Sequence, residues 1–215
     1  MSFPDPYPRT SILAYTKFTW PVANCVELPV PLTGESASLG FAGRRTQRTF
    51  GPVSVGQIGA LLWHTVRCQD TAPSPFGFEL QFRPVPSAGA IHPIHVLLEH
   101  EGHWVLYQPL SHRLELLSAT KPLDDLRGAA KVVVDPQQGR LIVFVAEHGM
   151  TGAKYENPES LIWRDAGVVQ GAMATVAAQL GLSMCLLGLT GHEAVSKLGN
   201  EGQLWGVGMA IVGAP

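Results

Sequence analysis

The sequence is poor in charge, poor in cysteine, and without any long apolar run. Only 15% of its 215 residues are charged, against 46% hydrophobic, so much of the surface must be covered by something other than water. A large subunit interface, and hence an oligomer, is the expected answer. A net charge of −2 gives no long-range field to gather nucleic acid or an anionic membrane. The three cysteines, Cys25, Cys68 and Cys185, are odd in number and far apart. That excludes a disulfide framework and a C-x-x-C metal site, and they read as buried or inert thiols in a reducing compartment. No stretch of about eighteen apolar residues suggests a membrane span. The opening Met1-Ser2-Phe3-Pro4-Asp5-Pro6 lacks the basic and apolar regions of a signal peptide, so the cytoplasm is the expected location.

What the chain does have is glycine and proline, 23 and 17 residues, and both punctuate it. Residues 1 to about 40 carry Pro4, Pro6, Pro8, Pro21, Pro29 and Pro31 with little periodicity and read as an extended arm. Its apolar Trp20, Val22, Leu28 and Val30 are expected to bury against the body or a partner subunit. Ser54-Val55-Gly56-Gln57 reads as a capping box that opens a helix. Val55, Ile58, Leu61, Leu62 and Val66 form its apolar face. A polar, proline-broken loop spans Gln69 to Pro84. The segments 94–98, 104–108 and 113–117 read as strands of an antiparallel meander, and Leu141 to Ala146 as a central strand covered on both faces.

From about Ser160, the residues Ile162, Ala166, Val169, Met173, Val176 and Leu180 recur at helical spacing, with Gly181 as the C-terminal stop. Gly167, Gly171, Ala174, Ala177 and Ala178 make the opposite face small, so this helix belongs in the centre of the fold or between subunits. Thr190-Gly191-His192-Glu193 reads as a second capping box, with a short helix to about Leu198, and a final strand covers 207–212. One domain, 1–215, is expected.

Two segments can carry chemistry. Arg44-Arg45-Thr46-Gln47-Arg48 concentrates forked cations and a hydroxyl, a set that matches the oxygens of a phosphate monoester. Pro86-Ser87-Ala88-Gly89-Ala90-Ile91-His92-Pro93 is a proline-bounded ledge of small residues, suited to close approach of backbone to a flat ligand. Together they fit a nucleotide-like cofactor with an aromatic ring. No G-x-G-x-x-G after a strand and no Walker A lysine point to the commoner nucleotide sites. The pairs His92/His95 and His100/His103 do not make a metal site, because i, i+3 residues on a strand face opposite ways and no carboxylate or thiol completes the set. Trp63, Trp104, Trp163 and Trp205 read as core or interface.

Arg44-Arg45-Thr46-Gln47-Arg48-Thr49-Phe50 resembles the Arg-Arg-Ser-x-Arg-x-Phe signature of the nitroreductase-like FMN oxidoreductases. The Pro-Ser-Ala-Gly-Ala-x-x-Pro segment is similar to that of their thiazole/oxazole (azoline) dehydrogenase and peptide oxidase branch. Tyr15-Thr16-Lys17, Leu28-Pro29-Val30-Pro31, Lys154-Tyr155, Asp165-Ala166-Gly167 and the closing Val212-Gly213-Ala214-Pro215 follow in the family's order. Val168 stands where relatives often have histidine, and Ile91-His92 where Leu-Tyr is common.

The resemblance implies an α+β sandwich, with a central antiparallel sheet flanked by helices and the long helix at the interface of a homodimer that holds two FMN molecules. It implies that Arg44 and Arg48 bind the phosphate and the polar edge of the flavin, with Arg45 in the same cluster and Thr46 on the ribityl chain. Pro86, Ser87, Ala88 and Gly89 then line the ring from the partner subunit, and Gly188 and Leu189 lie near the flavin N5. Lys154 and Tyr155 match the family's pair of base candidates. Removing a proton from Cα and a hydride to N5 requires a base opposite the flavin, a role open to a desolvated lysine or tyrosine. The implied substrate is a small, peptide-derived azoline or similar compound, with a biosynthetic partner enzyme as an accompanying expectation. The alternatives are reduction of nitro compounds or quinones by NAD(P)H, and a flavin-free relative acting as a binding partner in a biosynthetic complex.

Overall fold

The computed structural model describes residues 7–8, 10–11, 13–29 and 44–215. The arm positions Pro4, Pro6, Val30 and Pro31 lie outside the described residues. In chain order the elements are β1 (Tyr7–Pro8), β2 (Val22–Glu27), α1 (Val55–Val66), β3 (Asp70–Ala72), β4 (Leu80–Phe82), β5 (Ile94–His100), β6 (His103–Gln108) and β7 (Arg113–Leu117). There follow α2 (Leu126–Val133), β8 (Arg140–Glu147), α3 (His148–Lys154), β9 (Tyr155–Glu156), α4 (Glu159–Gln179), β10 (Ser183–Leu187), α5 (His192–Val195) and β11 (Leu204–Gly213).

Seven strands form one antiparallel sheet in the order β10-β11-β8-β5-β6-β7-β2. The β8 run is apolar on both sides because it is covered on both sides. Ile142, Phe144 and Ala146 pack with α1 and α4, while Leu141, Val143 and Val145 pack with Leu126 and Ala130 of α2 and Val195 of α5. The molecule is therefore a helix–sheet–helix sandwich, the architecture that the resemblance implies.

The first capping box is present as read: the Gln57 N–H donates to Ser54 Oγ at 3.2 Å, and the Ser54 N–H donates to Gln57 Oε1 at 3.0 Å. The second is not. The short helix α5 is preceded by Gly191 at φ +68° and ends at Val195 rather than near Leu198. Strand β11 passes so close that a Cβ on Gly206 would stand 2.5 Å from the Thr190 carbonyl oxygen and 2.6 Å from the His192 nitrogen. The loop bends around the strand instead of forming the box.

The arm contributes β2 to the sheet edge, pairing with β7, so it is not extended chain alone. Leu28 is buried there and Trp20 half-buried, but Val22 is exposed. The proline-broken loop contains the hairpin of β3 and β4. Among the thiols, Cys185 is buried but Cys25 is exposed, because it lies on this edge strand. Trp104 is buried as expected and Trp163 is exposed. The far side of α4 is not covered either: Trp163 and Val168 are exposed there, with Gly167 between them.

Candidate active site

Three residues of the ledge take left-handed backbone conformations: Gly89 (φ +62°), Ala90 (+58°) and His92 (+51°). Only glycine adopts this region readily, so Ala90 and His92 are strained and must be held from outside. The holding group is Asp165 of α4. Ser87 Oγ donates to Asp165 Oδ2 at 2.6 Å, the Ala88 N–H donates to Asp165 Oδ1 at 3.2 Å, and the His92 N–H donates to Ser87 Oγ at 2.9 Å. Burial raises the Asp165 pKa above its ordinary 3.8, opposed by these hydrogen bonds. Burial, with Arg83 adding to it, pushes His92 down from 6.5 to about 3.

Lys154 and Tyr155 close over this ledge. A Cβ built on Gly89 would lie 2.5 Å from Lys154 Nζ and 2.9 Å from Tyr155 OH. The base candidates and the small-residue segment, more than sixty residues apart in sequence, therefore meet in one place, together with Phe76, whose ring centroid is 5.9 Å from Lys154 Nζ. The sequence reading quoted Asp165 only as part of a motif. Its anchoring role was signalled by an acid at the helical spacing of Ile162 and Val169, on the buried face of α4.

The arginine segment lies elsewhere. It runs extended past the outer edge of β10, where the Gln47 N–H donates to the Met184 carbonyl at 3.2 Å and Gly51 bridges Ala214 in antiparallel fashion. This register carries Arg44 toward the Leu187 end of β10 and so toward Gly188 and Leu189. Alternation puts Arg44, Thr46 and Arg48 on one side. The other side, Arg45, Gln47 and Thr49, borders a cavity of about 260 Å³ with Ala178, Gly181 and Ser183. Arg48 is near enough to Cys185 to offset part of the burial that raises that thiol's pKa. Gly188 is open: a Cβ there would meet nothing within 4 Å.

Asp165 and Ala178 are thirteen residues apart on α4, or about 20 Å at the helical rise. Within one chain, then, the ledge with Lys154 and Tyr155 lies against the first half of α4, and Arg45, Gln47 and Thr49 border its C-terminal end. Near Gly188 and Leu189 a cavity of about 530 Å³ is lined by Trp163, Thr190, His192, Trp205 and Gly206. Trp205 is stacked by His148 at 4.6 Å. The sequence reading gave His192 and Trp205 no place in a site, since only the loop around Gly206 brings them together. Among the described residues no group of three or more His, Cys, Asp and Glu could hold a metal ion. His95 instead meets Glu147, and His100 meets Arg140.

The residues fit a flavin mononucleotide in two respects. Arg44 and Arg48 have no side-chain hydrogen bond or ion pair among the described residues, leaving their donors available for a phosphate. At Gly89 the ledge carries no Cβ, and one there would press on Lys154 Nζ and Tyr155 OH.

The sheet order and the flanking helices define the nitroreductase fold. Among solved structures with it, one assigned as a nitroreductase from Ralstonia eutropha JMP134 superposes with a TM-score of 0.68 at 20% identity over 98% of both chains. A chain of the E. coli microcin synthetase McbBCD complex, solved with truncated pro-MccB17, gives 0.59 at 18% identity over 87% of this chain and 74% of that one. A structure assigned as an NADH oxidase from Clostridium acetobutylicum gives 0.51 at 18% identity, over 80% of this chain and 85% of that one. No protein family and no curated protein sequence matches the chain.

Proposed function

We propose that the protein is an FMN-dependent oxidoreductase that works as a homodimer. In this reading Arg44, Arg45, Thr46 and Arg48 of one protomer, with Gly188 and Leu189, hold the phosphate and one side of the cofactor, and Pro86 to Gly89 of its partner face the ring. The exposed Trp163, Gly167 and Val168 on the far side of α4 support the dimer, offering it an apolar and small surface to cover. The observation that carries the reading is the convergence of Lys154 Nζ and Tyr155 OH over Gly89.

Bound FMN supplies a hydride acceptor. Lys154 and Tyr155 stand where a proton leaving a substrate carbon can be received, which suits oxidation of a small azoline or other peptide-derived compound. Asp165 and Ser87 keep the ledge in its strained shape and so fix the distance between ring and base. The likeness to a chain of the microcin synthetase complex supports a biosynthetic partner enzyme.

The purified protein is expected to be yellow, with absorbance near about 450 nm that disappears in Arg44→Ala/Arg48→Ala. A colourless protein that FMN does not reconstitute rejects the proposal and favours a non-catalytic partner. A second reading, NAD(P)H-driven reduction of nitro compounds or quinones, draws on the neighbours assigned as nitroreductase and NADH oxidase. It needs an open ring face but no base. Lys154→Met and Tyr155→Phe therefore separate the two: both abolish azoline oxidation under the first reading and leave nitro reduction intact under the second.

A further inference from the structure

On the other face of β5 from α4 lies a cavity of about 370 Å³. Its walls include Lys17, Phe18, Trp20, Arg83, His95 and Tyr107. The volume is that of a small-molecule site, and its charges do not balance. Glu147, fully buried behind it, has one oxygen taken by the Phe18 N–H and the other by His95 Nε2 at 2.9 Å. Glu115, also on the wall, is paired with Arg113 at 2.9 Å.

Neither carboxylate is within ion-pair distance of Lys17 or Arg83. Among the described residues the Arg83 guanidinium donates only to Gln81 Oε1, from Nε at 3.1 Å and from Nη2 at 2.8 Å. Lys17 makes no hydrogen bond or ion pair among the described residues, and feels Glu147 only at longer range. Trp20 adds a third donor without an acceptor among these residues, its buried indole Nε1. His95 is held neutral by burial, which outweighs Glu147, and Tyr107 is a buried phenol held neutral in the same way. Lys17 and Arg83 are half-buried, and a cation partly withdrawn from water without a carboxylate partner is costly. Burial accordingly pushes Arg83 down to about 10 and lowers Lys17. Phe18 and Trp20 pack edge to face with centroids 5.0 Å apart, giving the same cavity an aromatic wall.

We propose that this cavity binds a small organic carboxylate: Lys17 and Arg83 take the carboxylate oxygens, and the Phe18–Trp20 wall takes an apolar body. Its binding of a carboxylate does not depend on the flavin reading, although Gln81 and Arg83 lie close to His92 of the ledge.

The test uses the full-length purified protein with phenylacetate as probe, followed by titration calorimetry, tryptophan fluorescence and thermal unfolding. Phenylacetate is expected to bind, change the fluorescence and raise the melting temperature. Affinity is expected to fall by at least about tenfold in Arg83→Met and in Lys17→Met. Unliganded Arg83→Met is expected to melt no lower than the parent, since it removes a half-buried charge that has no carboxylate partner. Three results overturn the proposal: no response up to about 10 mM phenylacetate, equal responses in parent and variants, or an equal response to sulfate. A lower melting temperature for unliganded Arg83→Met also overturns it, by making the arginine structural.

Discussion

The two ends of α4 are built on opposite plans. At the ledge end the backbone is tied down: Asp165 receives Ser87 and Ala88, Ser87 receives His92, and Lys154 and Tyr155 lie against Gly89. At the arginine end Thr46 and Arg48 are exposed, and one backbone hydrogen bond, Gln47 to Met184, ties the segment to β10. The first end is preorganised by the fold and carries strain. The second costs the fold little. Substitutions at the ledge should therefore act on stability and geometry together, and those at the arginines on ligand binding alone.

The largest expected effect is on acid stability. Burial favours neutral His92 in the folded state, so the unfolded chain binds more protons between pH 6.5 and 3. Its contribution is complete above pH 6.5 and is lost as pH falls through that window, at roughly 1.4 kcal/mol per unit. Urea unfolding of His92→Asn at several pH values should show a shallower acid slope than the parent, and an unchanged slope would remove His92 as the cause. His95 and Glu147, both shifted down, keep their own share of the acid loss in that variant.

Asp165→Ala should come next, destabilising by about 2 kcal/mol because the Ser87 hydroxyl and the Ala88 N–H lose their acceptor. Faster amide exchange at Ala88 and His92 would locate the loss in the ledge. Asp165 also titrates with the opposite sign to His92: its raised pKa makes stability fall as pH rises above 3.8, and Asp165→Asn should remove that component.

Gly89→Ala should cost about 1 to 2 kcal/mol, from its left-handed backbone and the crowding of Lys154 and Tyr155. If thermal unfolding of this variant matches the parent, the ledge is less constrained than the comparison requires. The smallest effect is expected for Arg44→Ala/Arg48→Ala in protein freed of ligand, whose melting temperature should stay within about 1 °C of the parent. A large drop there would place the arginines in the fold's own support.

Much of this could be read from the residues. Helix α1 was legible because Ser54 and Gln57 mark its start and the apolar residues keep a 3.6-residue period. Strand β8 was legible because an unbroken apolar run needs cover on two sides. What escaped had weak or competing local signals. β2 lies among prolines that read as an arm, and its stability comes from pairing with β7 rather than from its own residues. Strand β10 follows α4 after only three residues, so Met184 and Leu187 continue an apolar stretch with no change of period. Both α2 and α3 are shorter than the length at which a helical period declares itself. In the site, the two signature segments were visible, but the meeting of Gly89 with Lys154 and Tyr155 is a property of topology. So is the false capping box at Thr190, which obeys the local rule and yields to the passage of Gly206.

The position of β11 also sets the order in which the molecule can be completed. A nascent chain that has emerged as far as Gln203 already contains the arginine segment, the ledge, Lys154 and Tyr155. Yet β10 has no partner strand until Leu204–Gly213 enters between it and β8, and Gly51 has no Ala214 to bridge. At synthesis rates of about 5–20 residues per second, the earlier elements wait with an open sheet for a strand made after all of them. Closure of the sheet around β11, with long-range pairings on both sides, is the step expected to limit the folding rate.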